Sequence, residues 1–224
     1  MKSISRPVFG LAAAALLLAG CESMNKTQKG AAVGTAGGAA VGLAIGSLFG
    51  KAGLGALIGA AVGGTAGTLI GKKMDQQAKE IEQTIPGAKV ERHEEGIEVE
   101  FNNAILFGFD KSALSKEAKD ELNKLATILV KYPDTNIEVQ GHTDSKGDSA
   151  YNMKLSARRA QAVVDQLKTQ NVAPERLKLV AHGENLPKYP NDTEENMAKN
   201  RRVEFLIYAN EKMKAEAKKE AGEQ

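Results

Sequence analysis

Tryptophan is missing from this 224-residue chain, and Phe, Trp and Tyr together make up only 4% of it. So few rings cannot build the stacking platform that single-stranded nucleic acid or sugar rings require. Cysteine occurs once, at Cys21, which excludes an intramolecular disulfide and any multi-cysteine metal centre. Histidine is scarce too. His93, His142 and His182 form neither an H-x-H nor an H-E-x-x-H pattern, so no metal is expected and a metal-hydrolase lacks its ligands. A G-x-S-x-G elbow is also missing. Excess charge is nearly absent: the formal net charge of +2 is that of Lys2 and Arg6. Without those two residues the chain is formally neutral, and a basic surface for nucleic acid is not indicated. A binding module fits better than an enzyme.

What is present divides the chain into unlike parts. Residues 1–20 read as an export signal, with Lys2 and Arg6 ahead of a short apolar stretch from Val8 to Ala19. That stretch is too short to cross a bilayer comfortably. Its end, Leu18-Ala19-Gly20-Cys21, resembles the lipobox of bacterial lipoproteins. The resemblance implies that Cys21 is the lipidated residue and that 21–29 is a lipidated N-terminal segment. Three acyl chains there exceed the two membrane signals that stable anchoring needs. Glu22 follows, and by the same resemblance a residue other than aspartate favours the outer membrane.

Residues 30–71 repeat. Glycine recurs every four residues from Gly30 to Gly50, and again from Gly55 to Gly71, with Ala, Val, Leu and Ile between. Small residues at this spacing let helix backbones approach closely, as in membrane helix pairs. Each half holds about 20 residues, roughly 30 Å as a helix, which matches a hydrocarbon core. The pattern predicts a glycine-zipper helical hairpin with Lys51 near its turn and a tendency to form homo-oligomers. A hairpin packed on the membrane surface competes with one that spans it. Residues 72–96 are polar, with Pro86-Gly87 as a break, and read as a short helix and linker.

From 97 to 209 the pattern becomes that of a folded α+β domain: strands alternate with helices, and the helices pack on one side of a mixed sheet. Ile97, Val99 and Phe101 alternate with charged residues, and a second short run spans Ile105 to Phe109. Ser115 is placed to cap a helix over 116–131 that buries Ala118, Leu122, Leu125 and Leu129. Strands are expected near 137–144, 177–181 and 203–207, with a short helix over 194–200. Residues 210–224 form a Lys/Glu/Ala tail, either a solvated helix or disordered.

The chemistry concentrates in residues 141–160, GHTDSKGDSAYNMKLSARRA. Met153, Ala157, Ala160, Val164 and Leu167 share one face of a helix starting near Ser149. Asn152, Ser156 and Arg159 then form a polar strip on its shoulder, while Arg158 points into water. Asp144 ends the preceding strand. A carboxylate and a guanidinium across a small gap suit a zwitterionic ligand: Asp144 accepts its ammonium and Arg159 forks onto its carboxylate. An internal salt bridge that orders the turn fits the spacing equally well.

GHTDSKG and YNMKLSARRA, with FGFDKSAL before them and NRRVEF after, resemble the OmpA-like domain from about Glu98 to Tyr208. The resemblance implies binding of peptidoglycan through the meso-diaminopimelate of its stem peptide, whose free end carries one ammonium and one carboxylate. It makes Asp144 and Arg159 the principal ligand residues, with Thr143, Asn152, Phe109, Asp110 and Arg201 in support. No cofactor and no catalysis are implied. Together the segments suggest an outer-membrane lipoprotein with its C-terminal domain in the periplasm. It would tether that membrane to the wall, or serve as a membrane-active or assembly-assisting zipper oligomer that wall binding only positions.

Overall fold

The computed structural model describes residues 64–93, 96–108 and 111–222. The export signal, Cys21, most of the zipper segment, Phe109 and Asp110 lie outside the described residues. In chain order the elements are α1 (Gly64–Thr84), β1 (Ala88–His93), β2 (Gly96–Asn102), α2 (Asn103–Leu106), α3 (Lys116–Lys131), β3 (Thr135–His142), α4 (Ser149–Thr169), a 3-10 turn (Pro174–Arg176), β4 (Leu177–Gly183), α5 (Glu194–Asn200), β5 (Arg202–Ala209) and α6 (Glu211–Ala221).

One sheet in the order β1-β2-β5-β3-β4 organises them. Its pairs are antiparallel except for β3 with β4, so the sheet is mixed as expected. Period-two alternation stacks apolar side chains into rows across β2, β5 and β3: Ile97–Ile207–Ile137, then Val99–Phe205–Val139. These join the buried residues of α1, α3 and α4 in a single core, where Phe101 meets Phe205 edge to face at 5.6 Å. Ser115 does cap α3, its hydroxyl accepting from Ala118 N at 2.9 Å.

Four features differ from the sequence pattern. The polar stretch over 72–96 carries most of α1 and all of β1. Ala66, Ile70, Met74, Ala78 and Ile81 of α1 are buried in the core, so the last glycines of the repeat belong to a helix of the folded domain. Arg92 of β1 ties the two together, donating to Asp75 at 2.8 Å and to the Gly71 carbonyl at 3.3 Å. The tail folds as α6 and buries Met213 and Ala217 in the same core. The run from Ile105 begins in a helical turn rather than a strand. Asn102 caps that turn by accepting from Ala104 N at 2.9 Å, and only Phe107 pairs as a bridge, with Leu114. Finally, the buried face of α4 is rotated. Ala160, Val164 and Leu167 are buried as expected, but so are Asn152, Leu155, Ser156, Arg159 and Val163, while Met153 and Ala157 lie at the margin. Gly141 is the cause: a Cβ there would sit 2.3 Å from the Ser156 carbonyl oxygen, so its absence lets the helix backbone rest on β3. Gly183, at φ +55°, receives α4 in the same way and donates to the Ser156 hydroxyl at 3.0 Å.

Among the described residues, no helix is long and apolar enough to cross a membrane.

Candidate ligand site

Because α4 lies against β3 at Ser156, its polar residues fall in a fixed order along the strand. Asn152 reaches past the strand end and Arg159 reaches toward α2. Asn152 Nδ2 donates to the carbonyls of Asp144 at 3.4 Å and Lys146 at 3.0 Å, and to Glu184 at 2.6 Å. The amide therefore clamps the loop that holds Asp144. The backbone of Thr143 is held by its N–H donating to the Gly183 carbonyl at 2.8 Å. Its buried hydroxyl has no hydrogen-bond partner among the described residues.

Asp144 is 6% exposed. One carboxylate oxygen accepts from Lys146 N at 3.0 Å, and the other takes the Arg201 guanidinium at 2.6 Å. Arg201 also donates to Glu194 at 2.8 Å, and Glu194 binds the Lys146 ammonium at 2.6 Å, closing a charged ring around the loop. Burial works against the Arg201 charge, but the hydrogen bonds to Asp144 and Glu194 outweigh it and raise the Arg201 pKa above its ordinary value. An ionised carboxylate offers about four lone-pair directions, so two contacts leave Asp144 able to accept from a ligand ammonium.

Arg159 is 4% exposed, whereas its neighbour Arg158 is exposed beside the Tyr151 ring. The Arg159 Nε donates to the Lys111 carbonyl at 3.0 Å, and its guanidinium carbon lies 5.4 Å from the centre of the Phe107 ring. With its amide oxygen facing the guanidinium, Asn103 accepts from Arg159 at 3.1 and 3.3 Å. Asn103 in turn donates its backbone N–H to the Arg201 carbonyl at 2.9 Å. Asp144 and Arg159 are thus linked by a relay: Arg201 touches Asp144 with its side chain and Asn103 with its backbone, and Asn103 touches Arg159. The Arg201 guanidinium is an ionic partner of Asp144.

Asn103, Glu184, Glu194 and the Lys111 carbonyl are the parts that sequence reasoning missed. An Asn-Asn pair between two apolar runs reads as a turn, and nothing in the sequence brings α2 to α4. Behind Thr143, His142 stacks on His182 with ring centres 4.9 Å apart. Burial, followed by the nearby charges of Arg202 and His182, pushes the His142 pKa down to about 2. The imidazole is a neutral packing group beneath the loop near neutral pH.

The fold and this site define a class: a mixed sheet with helices on one face, and a buried acid–arginine site just beyond the end of β3. Residues 106–201 match the OmpA family, and residues 1–75 match the YMGG-like Gly-zipper family, so the described unit is an OmpA-like domain that follows a glycine-zipper segment. Outer membrane porin F of Pseudomonas fluorescens is 46% identical over 105 residues, spanning 47% of this chain and 32% of the porin. The peptidoglycan-associated lipoprotein of Legionella pneumophila is 33% identical over 108 residues, 48% of this chain and 61% of that one. Among solved structures, a putative MotB-like protein from Desulfovibrio vulgaris superposes with a TM-score of 0.60 at 25% identity. It covers 64% of this chain and 96% of that one. The chain therefore spans about a third of the porin and less than two thirds of the lipoprotein.

Proposed function

We propose that this protein binds peptidoglycan non-covalently through the free end of meso-diaminopimelate and tethers the outer membrane to the wall without catalysing a reaction. Asp144 takes the ligand ammonium and Arg159 its carboxylate. Thr143, Asn152 and Arg201 order the loop around them. The observation that carries this reading is the burial of both charged groups, linked through Arg201 and Asn103, while Arg158 stays in solvent. Burying opposite charges is costly unless something exploits their placement, and a zwitterion complements both at once. The match to a protein named peptidoglycan-associated lipoprotein supports the wall as the ligand. Acylation of Cys21 supplies the membrane end, with the zipper segment associating between copies.

The test is sedimentation of a fragment spanning residues 64–222 with purified diaminopimelate-type wall. It must include α1 and α6, whose apolar faces belong to the core. Removing one partner of a buried charged contact typically costs about 2–5 kcal/mol, so Asp144→Ala or Arg159→Ala should nearly abolish binding in fragments that keep wild-type circular dichroism. Arg158→Ala should bind as wild type. A wall with lysine in place of diaminopimelate lacks the carboxylate and should bind far more weakly. A folded Arg159→Ala fragment that binds normally would exclude the assignment.

A further inference from the structure

The sheet face turned away from the helices carries a second concentration of charge, at the edge and strand end farthest from Asp144. In the β1–β2 hairpin, Glu91 lies directly opposite Glu98. Like charges in that position repel. His93 follows Glu91 by two residues and so projects to the same face. Its Nε2 lies 3.2 Å from one oxygen of Glu98 and 3.5 Å from one oxygen of Glu91. That nitrogen is shielded from water and makes no hydrogen bond among the described residues. Glu98 is 1% exposed.

Both carboxylates are already aimed. Glu91 gives its other oxygen to the Lys89 ammonium at 2.6 Å, and Glu98 gives its other oxygen to Lys188 at 3.2 Å. Each lysine holds one oxygen, and the second lies toward His93. Outer partners of this kind orient metal ligands. Among the described residues a second acidic group, Glu98, Glu100 and Glu204, converges in the same way, but Lys188 sits among those three and supplies its cation.

We propose that Glu91, His93 and Glu98 form a zinc-class divalent cation site that fastens edge strand β1 to β2. Zinc bonds to nitrogen and carboxylate oxygen at about 2.0–2.2 Å, which in a tetrahedron separates neighbouring ligand atoms by about 3.3–3.6 Å. The two distances from His93 Nε2, 3.2 and 3.5 Å, lie at that spacing. One imidazole with two carboxylates suits zinc better than magnesium or calcium, which prefer all-oxygen shells. The sequence hides this site because its third ligand comes from the neighbouring strand.

The experiment uses the full chain as Cys21→Ser, which removes its one thiol, stripped with EDTA and titrated with zinc sulfate by calorimetry and thermal unfolding. One zinc per chain is expected, with a rise in Tm that EDTA reverses. Changing an outer partner of a metal site costs about 10–100-fold in affinity, so His93→Ala and Glu91→Gln should each weaken zinc binding by at least about tenfold. His182→Gln should leave it intact, and magnesium and calcium should give no comparable rise. Absence of a zinc-dependent rise in the unsubstituted site overturns the proposal. So does binding that survives His93→Ala but is lost in His182→Gln, or an equal response to magnesium. Because His93 lies on an exposed edge strand, the metal-free Tm of its variant separates loss of the ligand from loss of the fold.

Discussion

The two faces of the sheet are built from the same strands and are both covered, yet they solve burial in opposite ways. On one face, Ile97, Val99, Phe101, Val139, Phe205 and Ile207 disappear under α1, α3 and α4. On the other, the alternate residues Glu98, Glu138, Gln140, His142, Arg202 and Glu204 are buried as well. An antiparallel sheet usually leaves its polar face wet. Here the segment between β4 and α5 folds over it and is fastened by polar contacts. Lys188 and Tyr189 donate their backbone N–H groups to the Asn200 side chain at 2.9 and 3.0 Å. Arg202 donates to the Leu186 carbonyl at 3.3 Å and to Glu204 at 2.7 Å. Apolar packing tolerates small errors in place. A paired-charge layer does not, because each charge depends on its partner.

That contrast can be broken most directly at Lys188. Its ammonium contacts Glu98, Glu100 and Glu204, and although burial opposes its charge, those carboxylates raise its pKa above the ordinary lysine range. Lys188→Met keeps the length of the side chain but takes the ammonium away from Glu98, Glu100 and Glu204, of which Glu204 keeps Arg202. The expected loss is about 3–5 kcal/mol, measured by urea unfolding at neutral pH. A loss below about 1 kcal/mol, the scale of an exposed pair, would mean that water enters this layer and the two faces are less alike in burial than they look.

The helix-covered face contains one exception of its own. Gln77 of α1 is 1% exposed, between the buried turns of Met74 and Ile81, and neither its amide nitrogen nor its oxygen has a hydrogen-bond partner among the described residues. Replacing such a group with an apolar one of similar shape removes a desolvation cost of about 1–3 kcal/mol. Gln77→Leu should therefore raise the unfolding free energy by about 1–2 kcal/mol on that scale. No change, or a loss, would point to ordered water serving the amide.

The sequence made the apolar face legible and the polar one nearly illegible. Period-two alternation in β2, β3 and β5 and the caps of α3 are local signals, and they locate most of the domain. The face of α4 came out rotated because it depends on Gly141, a residue of another strand. α1 was hidden because its glycines, Gly64, Gly67 and Gly71, continue the upstream repeat; its burial shows only once β1 and α6 are in place. The inward turn of Arg159 and the exposure of Arg158 could be read from helix angle. The roles of Asn103 and Glu194 could not, since each acts through a contact made across distant segments of chain.

The smallest effect tests the polar layer through protons. His142 is buried, with its pKa pushed down to about 2 first by burial and then by Arg202 and His182, while an unfolded histidine titrates near 6.5. His182 is lowered as well, chiefly by burial. A base whose folded pKa is depressed takes up its proton only in the unfolded chain over that interval. The stability is whole above about pH 6.5 and is lost as pH falls toward the folded value. For His142 alone the slope is about 1.4 kcal/mol per pH unit below pH 6. His142→Gln removes that proton and should flatten the dependence between pH 6 and pH 5 by about this amount, whatever it does to stability at pH 7.5. Urea midpoints at matched ionic strength measure it, and carboxylates that titrate lower leave this window largely clear. If wild type and His142→Gln run parallel across it, the imidazole is already charged in the folded protein. The face opposite the helices would then be wet, like that of an ordinary antiparallel sheet.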